Sequence, residues 1–268
     1  MKTVKNSLMV MSGKGGVGKT TISVNLALAL TMDGMDVGIL DADITGPNVP
    51  KMLNIEGEMP YADNNKRIIP VYIPIGSDNG IKVMSMAFMI EKDSPVIWRG
   101  PLKMRAIKQF IEDVDWGNLD YLIIDLPPGT GDEPLSVAQL IHADGAIIVT
   151  TPQDVALLDS RKAVNMAKML KIPVVGIIEN MSCLICPKCG ERIEVFKSGG
   201  GARAAFELKV PFLGRIPIDP MVCKSSDAGK PFILEHNSNA TKSFEKIAEK
   251  IKNFKIKGGD IDDSTTKV

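Results

Sequence analysis

A glycine-rich loop near the start of the chain carries the clearest chemical signal in the sequence. Residues 13–20 read Gly-Lys-Gly-Gly-Val-Gly-Lys-Thr and lie between an apolar run and a helical pattern. They fit G-x-x-x-x-G-K-[ST], in which backbone N–H groups surround nucleotide phosphates, the lysine reaches the β- and γ-phosphates and the hydroxyl binds Mg²⁺. The N-terminus of the following helix adds roughly half a positive charge. The predicted nucleotide-binding residues are Gly13, Lys14, Gly15, Gly16, Val17, Gly18, Lys19, Thr20 and Thr21.

The loop contains a second lysine, Lys14, in addition to Lys19. Its stem leaves the loop in a different direction, so it does not duplicate the role of Lys19. Two interpretations stay open at this point. Lys14 is either a solvated loop lysine, or its ammonium reaches a nucleotide that is bound to a second subunit.

Aspartates follow two of the predicted strands and supply candidates for the chemistry around the phosphates. Asp41 and Asp43 come at the end of the second strand, and Asp125 ends the apolar run 122–124. Ligands of open parallel sheets bind at the carboxyl ends of strands, so all three carboxylates are expected near the loop. Asp43 is the candidate for orienting the attacking water, and Asp125 for positioning Mg²⁺ opposite Thr20.

The elements that must position these groups follow from the hydrophobic pattern. Short apolar runs alternate with helical patterns, which predicts an α/β fold of the P-loop NTPase type, a mainly parallel sheet flanked by helices on both faces. In the first helix Ile22, Leu26, Ala29 and Leu30 predict a single apolar face. Strands are predicted at 7–12, 36–41, 81–86, 120–125, 145–150, 173–179 and 210–215, and helices at 19–33, 101–113, 133–141, 156–170, 200–208 and 239–254.

The length is enough for one large α/β domain, and we predict a single P-loop ATPase domain over residues 1–257. The protein is expected to be cytoplasmic. Residues 55–80 are expected to form an insertion with a small hairpin, residues 183–190 a metal-binding turn, and the polar tail 258–268 to be disordered. The 32 basic and 32 acidic residues cancel, so no overall field favours nucleic acid. No apolar run approaches the 18 residues of a transmembrane helix, and no secretory signal opens the chain.

Four cysteines in a cytoplasmic chain are expected to be free, metal-bound or redox-active. Cys186 and Cys189 lie in Cys-Pro-Lys-Cys-Gly, a turn that places two thiolates on one side. Two thiolates do not complete a tetrahedral site, so a second copy of the chain would supply the others, giving a four-cysteine site for Zn²⁺ or an iron–sulfur cluster. A redox dithiol and inert buried thiols are the competing interpretations. Cys183 is a candidate spare ligand, and Cys223 is interpreted as structural.

Taken in order, these motifs resemble the Mrp (ApbC-like) family of iron–sulfur cluster carrier ATPases. That family belongs to the deviant-Walker P-loop proteins, together with MinD, ParA and the nitrogenase iron protein. The resemblance covers roughly residues 5–250. It rests on the loop and on the segments 41–47, 96–101, 125–132, 178–182 and 186–190.

The resemblance implies a homodimer that hydrolyses ATP and carries a labile [4Fe–4S] cluster for transfer to apo-proteins, with scaffold proteins as further partners. Lys14 would act across the dimer, with Lys19 and Asp43 as the other catalytic residues. The remaining implied roles are Mg²⁺ binding by Thr20 and Asp125, cluster binding by Cys186 and Cys189, adenine recognition by Asn180, and a base pocket closed by Pro217 and Asp219.

Two alternatives stay open on the sequence. One is a MinD-like positioning ATPase, because the terminal helix carries an apolar stripe beside lysines, a pattern that also occurs in membrane-surface helices. The commoner meaning of that pattern is a helix that packs on the sheet. The other alternative is a dimer held together by a purely structural zinc ion, since thiolates bind Zn²⁺ and iron–sulfur clusters alike. The stripe consists of Phe244, Ile247, Ile251 and Phe254.

Overall fold

An eight-stranded sheet forms the centre of the computed structural model, which describes residues 3–43, 46–77, 79–89, 100–186 and 188–254. The sheet order is β12-β9-β8-β1-β7-β2-β6-β5, and every neighbouring pair is parallel except β5 with β6. The strands are β1 (Val4–Ser12), β2 (Val37–Asp41), β3 (Tyr61–Ala62), β4 (Ile68–Ile69), β5 (Val71–Ile75), β6 (Asn79–Ser85), β7 (Leu119–Asp125), β8 (Gly145–Thr150), β9 (Val174–Glu179), β10 (Leu184–Ile185), β11 (Arg192–Ile193) and β12 (Phe212–Arg215).

Helices cover both faces of this sheet. They are α1 (Lys19–Met32), α2 (Val49–Met52), α3 (Gly100–Glu112), α4 (Asp132–Ile141), α5 (Asp154–Met169), α6 (Gly200–Leu208), α7 (Pro220–Asp227), α8 (Phe232–Glu235) and α9 (Asn239–Lys252). Helices α1, α8 and α9 share one core with Leu8 and Val10 of β1, and α3 to α6 share the other with Met9 and Met11. Successive strand residues point to opposite faces, so a strand covered on both sides is apolar throughout.

The predicted fold class is confirmed. Each of the seven predicted strands and six predicted helices is present, with bounds within three residues of those expected. The continuous apolar runs were reliable because parallel strands buried on both faces need them.

The prediction of a single apolar face on α1 is wrong. The helix is buried from Ile22 to Thr31, because the sheet lies on one side and α8 and α9 lie on the other. Polar side chains inside this stretch have hydrogen-bond partners. Asn25 donates to the Thr21 carbonyl at 2.9 Å and accepts the Ile233 N–H of α8 at 3.2 Å, and Thr31 donates to the Ala27 carbonyl at 2.9 Å. A helix hydrophobic on all sides is a buried one.

The segment 55–80 contains the expected small hairpin, formed by β3 and β4. The last part of this segment was not predicted as part of the central sheet, but β5 forms its antiparallel edge strand. Pro74 lies in this strand and cannot donate a ladder hydrogen bond, which is tolerated at an edge. The proline obscured the strand in the sequence. The predicted tail 258–268 and residues 96–99 of the resemblance lie outside the described residues.

The apolar stripe of α9 packs on the protein. Phe244, Ile247 and Ile251 are at most 1% exposed and contact α1 and β12. Lys252 pairs with Asp33 of the α1 terminus at 2.7 Å. The stripe therefore has a partner within the chain, as the commoner interpretation expected. Within the described residues, no helix is long and apolar enough to cross a bilayer.

Candidate functional site

The glycine-rich loop connects β1 to α1 at the carboxyl edge of the sheet. Gly16 and Gly18 adopt positive φ angles of 76° and 82°, so the chain turns there in a conformation that other residues rarely adopt. Gly18 is the N-cap of α1, and no side chain caps the first turn. The backbone N–H groups of this turn are therefore placed to bind an anion, and the loop has the geometry of a phosphate site.

Neighbouring elements hold the loop at close range. A Cβ atom on Gly13 would lie 2.1 Å from the Asp159 carbonyl oxygen of α5, and one on Gly18 would lie 2.3 Å from Asn180 Nδ2. Both glycines are needed for this close approach, and Gly18 is needed for its positive φ as well. Gly129 N–H also donates to the Ser12 carbonyl at 3.0 Å, which ties the loop after β7 to the start of the phosphate loop.

Asp125 is the centre of the polar cluster beneath the loop. Lys19 Nζ lies 2.9 Å from Asp125 Oδ1, and both side chains are buried. Thr20 Oγ1 donates to Asp125 Oδ2 at 2.7 Å, and Ser23 Oγ donates to Asp125 Oδ1 at 2.7 Å. The ammonium of Lys19 makes no aligned hydrogen bond within the described part of the chain, so its proton donors stay available to an incoming anion.

Asp41 lies beside this cluster because Asp41 and Asp125 are register partners at the ends of β2 and β7. Burial, and next the charge of Asp125, raise the pKa of Asp41 to about 8. Three groups donate hydrogen bonds to this carboxyl: Ser85 Oγ at 2.9 Å, Val49 N–H at 3.3 Å and Asp43 N–H at 3.2 Å. Those from Ser85 and Val49 lower the pKa of Asp41 and so partly oppose the shift. The raised pKa favours the protonated form of Asp41, and its carboxyl fixes the backbone N–H groups of Asp43 and Val49.

Asp43 lies at the edge of the same cluster and is 8% exposed. Its Oδ1 accepts the Gly46 N–H at 3.2 Å, which closes a short turn. The two residues between them, Ile44 and Thr45, lie outside the described residues. The structure thus brings Lys19, Thr20, Asp43 and Asp125 to one edge of the sheet, as the sequence predicted.

The residues expected to recognise the base lie on two adjacent strand ends. Asn180 follows β9 and donates from Nδ2 to the Val17 carbonyl at 2.9 Å, so it contacts the phosphate loop itself. Pro217 and Asp219 follow β12 and line a cavity of about 330 Å³ together with Ile185 and Lys242. Asp219 also caps α7 by accepting the Met221 N–H at 2.9 Å.

The cysteine pair lies in a short hairpin, defined here as residues 183–193 and formed by β10 and β11. Cys186 N–H donates to the Glu191 carbonyl, and Gly190 N–H donates to the Cys186 carbonyl, both at 2.9 Å. Gly190 has a positive φ of 74°, as the turn after the second cysteine requires. Pro187 lies outside the described residues. Cys186 is half-buried and Cys189 is exposed, so both thiols are at the surface.

The hairpin favours a thiolate at Cys186. The N–H of Cys189, followed by the N–H of Lys188 and the thiol of Cys189, lowers the pKa of Cys186. A turn whose backbone donors converge on one sulfur is suited to a metal-binding thiolate. Cys183 is buried, whereas Cys223 is exposed on α7 and lies 3.7 Å from Asp227 Oδ2. Cys223 therefore makes no contribution to the core.

No described set of three or more histidine, cysteine, aspartate or glutamate side chains is arranged to hold a metal ion. The hairpin of one chain supplies two thiols at its surface. A complete four-ligand site at this hairpin consequently requires groups from outside the described residues of one chain.

Comparison with known proteins identifies the family of the chain. The family profile for ParA, described as the NUBPL iron-transfer P-loop NTPase, matches residues 3–252. The chain belongs to this family. A protein of Pyrococcus horikoshii named iron–sulfur cluster carrier protein is 54% identical over 94% of the chain and 87% of its own length. A protein of the same name from Methanocaldococcus jannaschii is 52% identical over 94% and 85%.

Solved structures support the same family and fold. A nucleotide-binding protein from Archaeoglobus fulgidus, in complex with ADP and with cobalt, is 39% identical and has a TM-score of 0.77 over 91% of this chain and 93% of its own. The cell division ATPase MinD of Pyrococcus furiosus has a TM-score of 0.66 over 93% and 99%, at 24% identity. The MinD likeness shows the fold alone.

Two residues that help to build the site were not predicted from the sequence. Ser23 donates to Asp125, and Ser85 donates to Asp41. Ser23 lies one turn after Lys19 on α1, so helical spacing was a usable signal for it. No comparable signal exists for Ser85, because its partner lies 44 residues away on a neighbouring strand.

Proposed function

We propose that the protein is an ATP-hydrolysing iron–sulfur cluster carrier that works as a homodimer. One observation carries this proposal: a phosphate loop with a buried lysine–aspartate pair joined by a threonine hydroxyl, and a surface hairpin with two thiols, occur in one chain. The relatives named iron–sulfur cluster carrier protein, at 54% and 52% identity, support it. A partitioning or positioning ATPase has no need of the hairpin, and the α9 stripe is already packed.

The nucleotide chemistry is assigned to the polar cluster. Lys19 would bind the β- and γ-phosphates with the N–H groups of the loop, residues 13–21. Thr20 and Asp125 fit Mg²⁺, since a hydroxyl and a carboxylate oxygen lie 2.7 Å apart beside the loop. The ion would neutralise charge on the phosphates during transfer. Asp43 would orient the attacking water, because it is the carboxylate on the segment that follows β2 towards this edge.

Lys14 is assigned to the partner's nucleotide. It is only partly buried and, in contrast to Lys19, has no ion-pair partner among the described residues. An unpaired loop lysine at the surface is positioned to neutralise phosphate charge in a facing copy. Asn180, Pro217 and Asp219 would bind the base, which extends the site from the loop to the ends of β9 and β12.

The cargo is assigned to Cys186 and Cys189 of two chains. Two hairpins related by a twofold axis would supply the four thiolates of a [4Fe–4S] cluster, which the carrier passes to apo-proteins after loading with the help of scaffold proteins. All four cysteines are free thiols, which accords with work in the cytoplasm. We assign the whole activity to one domain, residues 1–257.

Anaerobic reconstitution with iron and sulfide, followed by transfer to an apo-ferredoxin, tests the proposal. Wild type should acquire an iron–sulfur absorption band and transfer it, and the double variant Cys186→Ala with Cys189→Ala should acquire none. Cys223→Ala is the matched control, because that thiol is exposed, as Cys189 is, but lies on α7. Cluster binding that survives the double variant contradicts the assignment. Stoichiometric zinc that resists chelation and blocks iron would identify a structural staple instead.

A further inference from the structure

Glu179 is a fully buried glutamate that the nucleotide chemistry does not use. It ends β9, directly before Asn180, and has no exposed side-chain surface. Its Oε2 accepts the Gly201 N–H at 2.6 Å, and its Oε1 accepts the Gly199 N–H at 3.3 Å. Arg215 Nε lies 3.2 Å from the same Oε1. The carboxylate therefore caps the N-terminus of α6 from 20 residues upstream in the chain.

The loop that Glu179 closes is the one that carries the two cysteines. Residues 180–198 leave the sheet after β9, form the cysteine hairpin and return at α6. The base of this excursion is also held by Ser182 and Cys183, through hydrogen bonds of 3.0 Å from Ser182 N–H to the Ile216 carbonyl and of 2.7 Å from Ile218 N–H to the Cys183 carbonyl. Glu179 holds the end of this loop at Gly199, and the bonds of Ser182 and Cys183 hold its beginning.

The neighbour of Glu179 fixes the phosphate loop. Asn180 donates from its side chain to the Val17 carbonyl at 2.9 Å, and its N–H donates to the Thr150 carbonyl at 2.8 Å. Two consecutive residues thus hold the two sites of the proposed function. The Asn180 side chain reaches the phosphate loop, and the Glu179 side chain reaches the N-terminus of α6, where the chain that carries the hairpin returns to the sheet.

The phosphate loop, the end of β9 and the start of α6 are closely packed at three glycines. A Cβ on Gly18 would lie 2.3 Å from Asn180 Nδ2, and one on Gly201 would lie 2.8 Å from Glu179 Cβ. A Cβ on Gly200 would lie 2.5 Å from the Pro152 carbonyl oxygen, in the loop between β8 and α5. Close-packed joints of this kind transmit displacement, because packed interiors are not continuously deformable.

We propose that Glu179 is a positioning residue that couples the phosphate loop to the cysteine hairpin. Nucleotide binding restrains the phosphate loop, and the Asn180 hydrogen bond to Val17 extends that restraint to the end of β9. The Glu179 carboxylate, bonded to Gly199 and Gly201, extends it to the start of α6, where the chain returns from the hairpin. The inference rests on the proposed function only for what the hairpin carries. The hairpin is expected to respond to nucleotide through Glu179 in the cluster-free protein as well.

Hydrogen–deuterium exchange of the cluster-free full chain, with and without a saturating non-hydrolysable ATP analogue and Mg²⁺, tests this. In wild type the amides of the hairpin and of its return to α6, residues 184–186 and 188–198, should exchange at least about fivefold more slowly with the analogue, the lower end of typical allosteric coupling. In Glu179→Gln, which keeps the shape but loses the charge, that slowing should disappear while amides of the phosphate loop remain protected. If the analogue slows amide exchange in the hairpin of Glu179→Gln as much as in wild type, the inference is overturned.

Two further variants keep the test decisive. Gly201→Ala disturbs the same joint from the other side and should also abolish the slowing, and it decides alone if Glu179→Gln does not fold. Gly57→Ala, where a new Cβ meets nothing within 4 Å, is the matched control and should behave as wild type. Loss of analogue binding by Glu179→Gln would place the residue in the nucleotide site and also overturn the inference. Failure of cluster reconstitution would leave it standing.

Discussion

Replacement of Asp41 by asparagine should change how stability depends on pH. Burial and the neighbouring charge of Asp125 raise the pKa of Asp41 from 3.8 to about 8. A carboxyl whose pKa is raised in the folded state contributes most to stability below its unfolded pKa. That contribution is lost as pH rises through the folded pKa, so the loss runs from about pH 4 to about pH 8.

The magnitude follows from the proton count. Between pH 5 and pH 7 the folded protein retains the Asp41 proton and the unfolded chain does not. Stability attributable to this group then falls by at most about 1.4 kcal/mol per pH unit, or about 3 kcal/mol over that range. Asparagine has nearly the shape of the protonated side chain and does not titrate. Its single amide oxygen can replace only one of the two oxygens that accept the N–H groups of Asp43 and Val49, and this loss is the same at every pH.

Urea unfolding of nucleotide-free protein at pH 5, 6, 7 and 8 in the presence of a chelator measures this. The free energy of unfolding of the Asp41→Asn variant, relative to wild type, should rise by a few kcal/mol from pH 5 to pH 7. Asp33→Asn at the surface is the control for removing a carboxylate. A difference between Asp41→Asn and wild type that stays flat with pH, or that falls, would refute the account of Asp41.

Other predictions follow from single contacts. Gly18→Ala should lower nucleotide affinity by more than about tenfold, since the residue has a positive φ and its Cβ would lie 2.3 Å from Asn180; calorimetry with ADP should show this, and unchanged affinity contradicts it. Phe244→Ala should lower the free energy of unfolding by about 3–5 kcal/mol in urea titrations, and a loss below about 1 kcal/mol would disprove its core role. Lys14→Ala should reduce the rate of ATP hydrolysis more than nucleotide affinity, and equal losses would argue against action across a dimer.

Much of the fold was predictable because of the kind of sheet it contains. Strands such as β7 and β8 are buried on both faces, so a continuous apolar run identifies them without tertiary information. The phosphate loop was predictable for a similar reason, since its glycines and lysine act through local backbone geometry. Local determinants can be read from a sequence.

The features that were not predicted depend on distant contacts. The burial of α1 on all sides results from α8 and α9, which come some 200 residues later in the chain. Ser85 and Glu179 act through partners on other elements, and no local pattern distinguishes them from an ordinary strand residue. The β5 strand was hidden by a proline that only an edge position tolerates.

The most direct test of the central claim is the stoichiometry of the reconstituted protein. Native mass spectrometry under anaerobic conditions, with and without an ATP analogue, measures how many chains share one cluster. Two chains holding one [4Fe–4S] unit through Cys186 and Cys189 are expected. A single chain that carries a complete cluster, or a dimer that holds no iron after reconstitution, would contradict the claim.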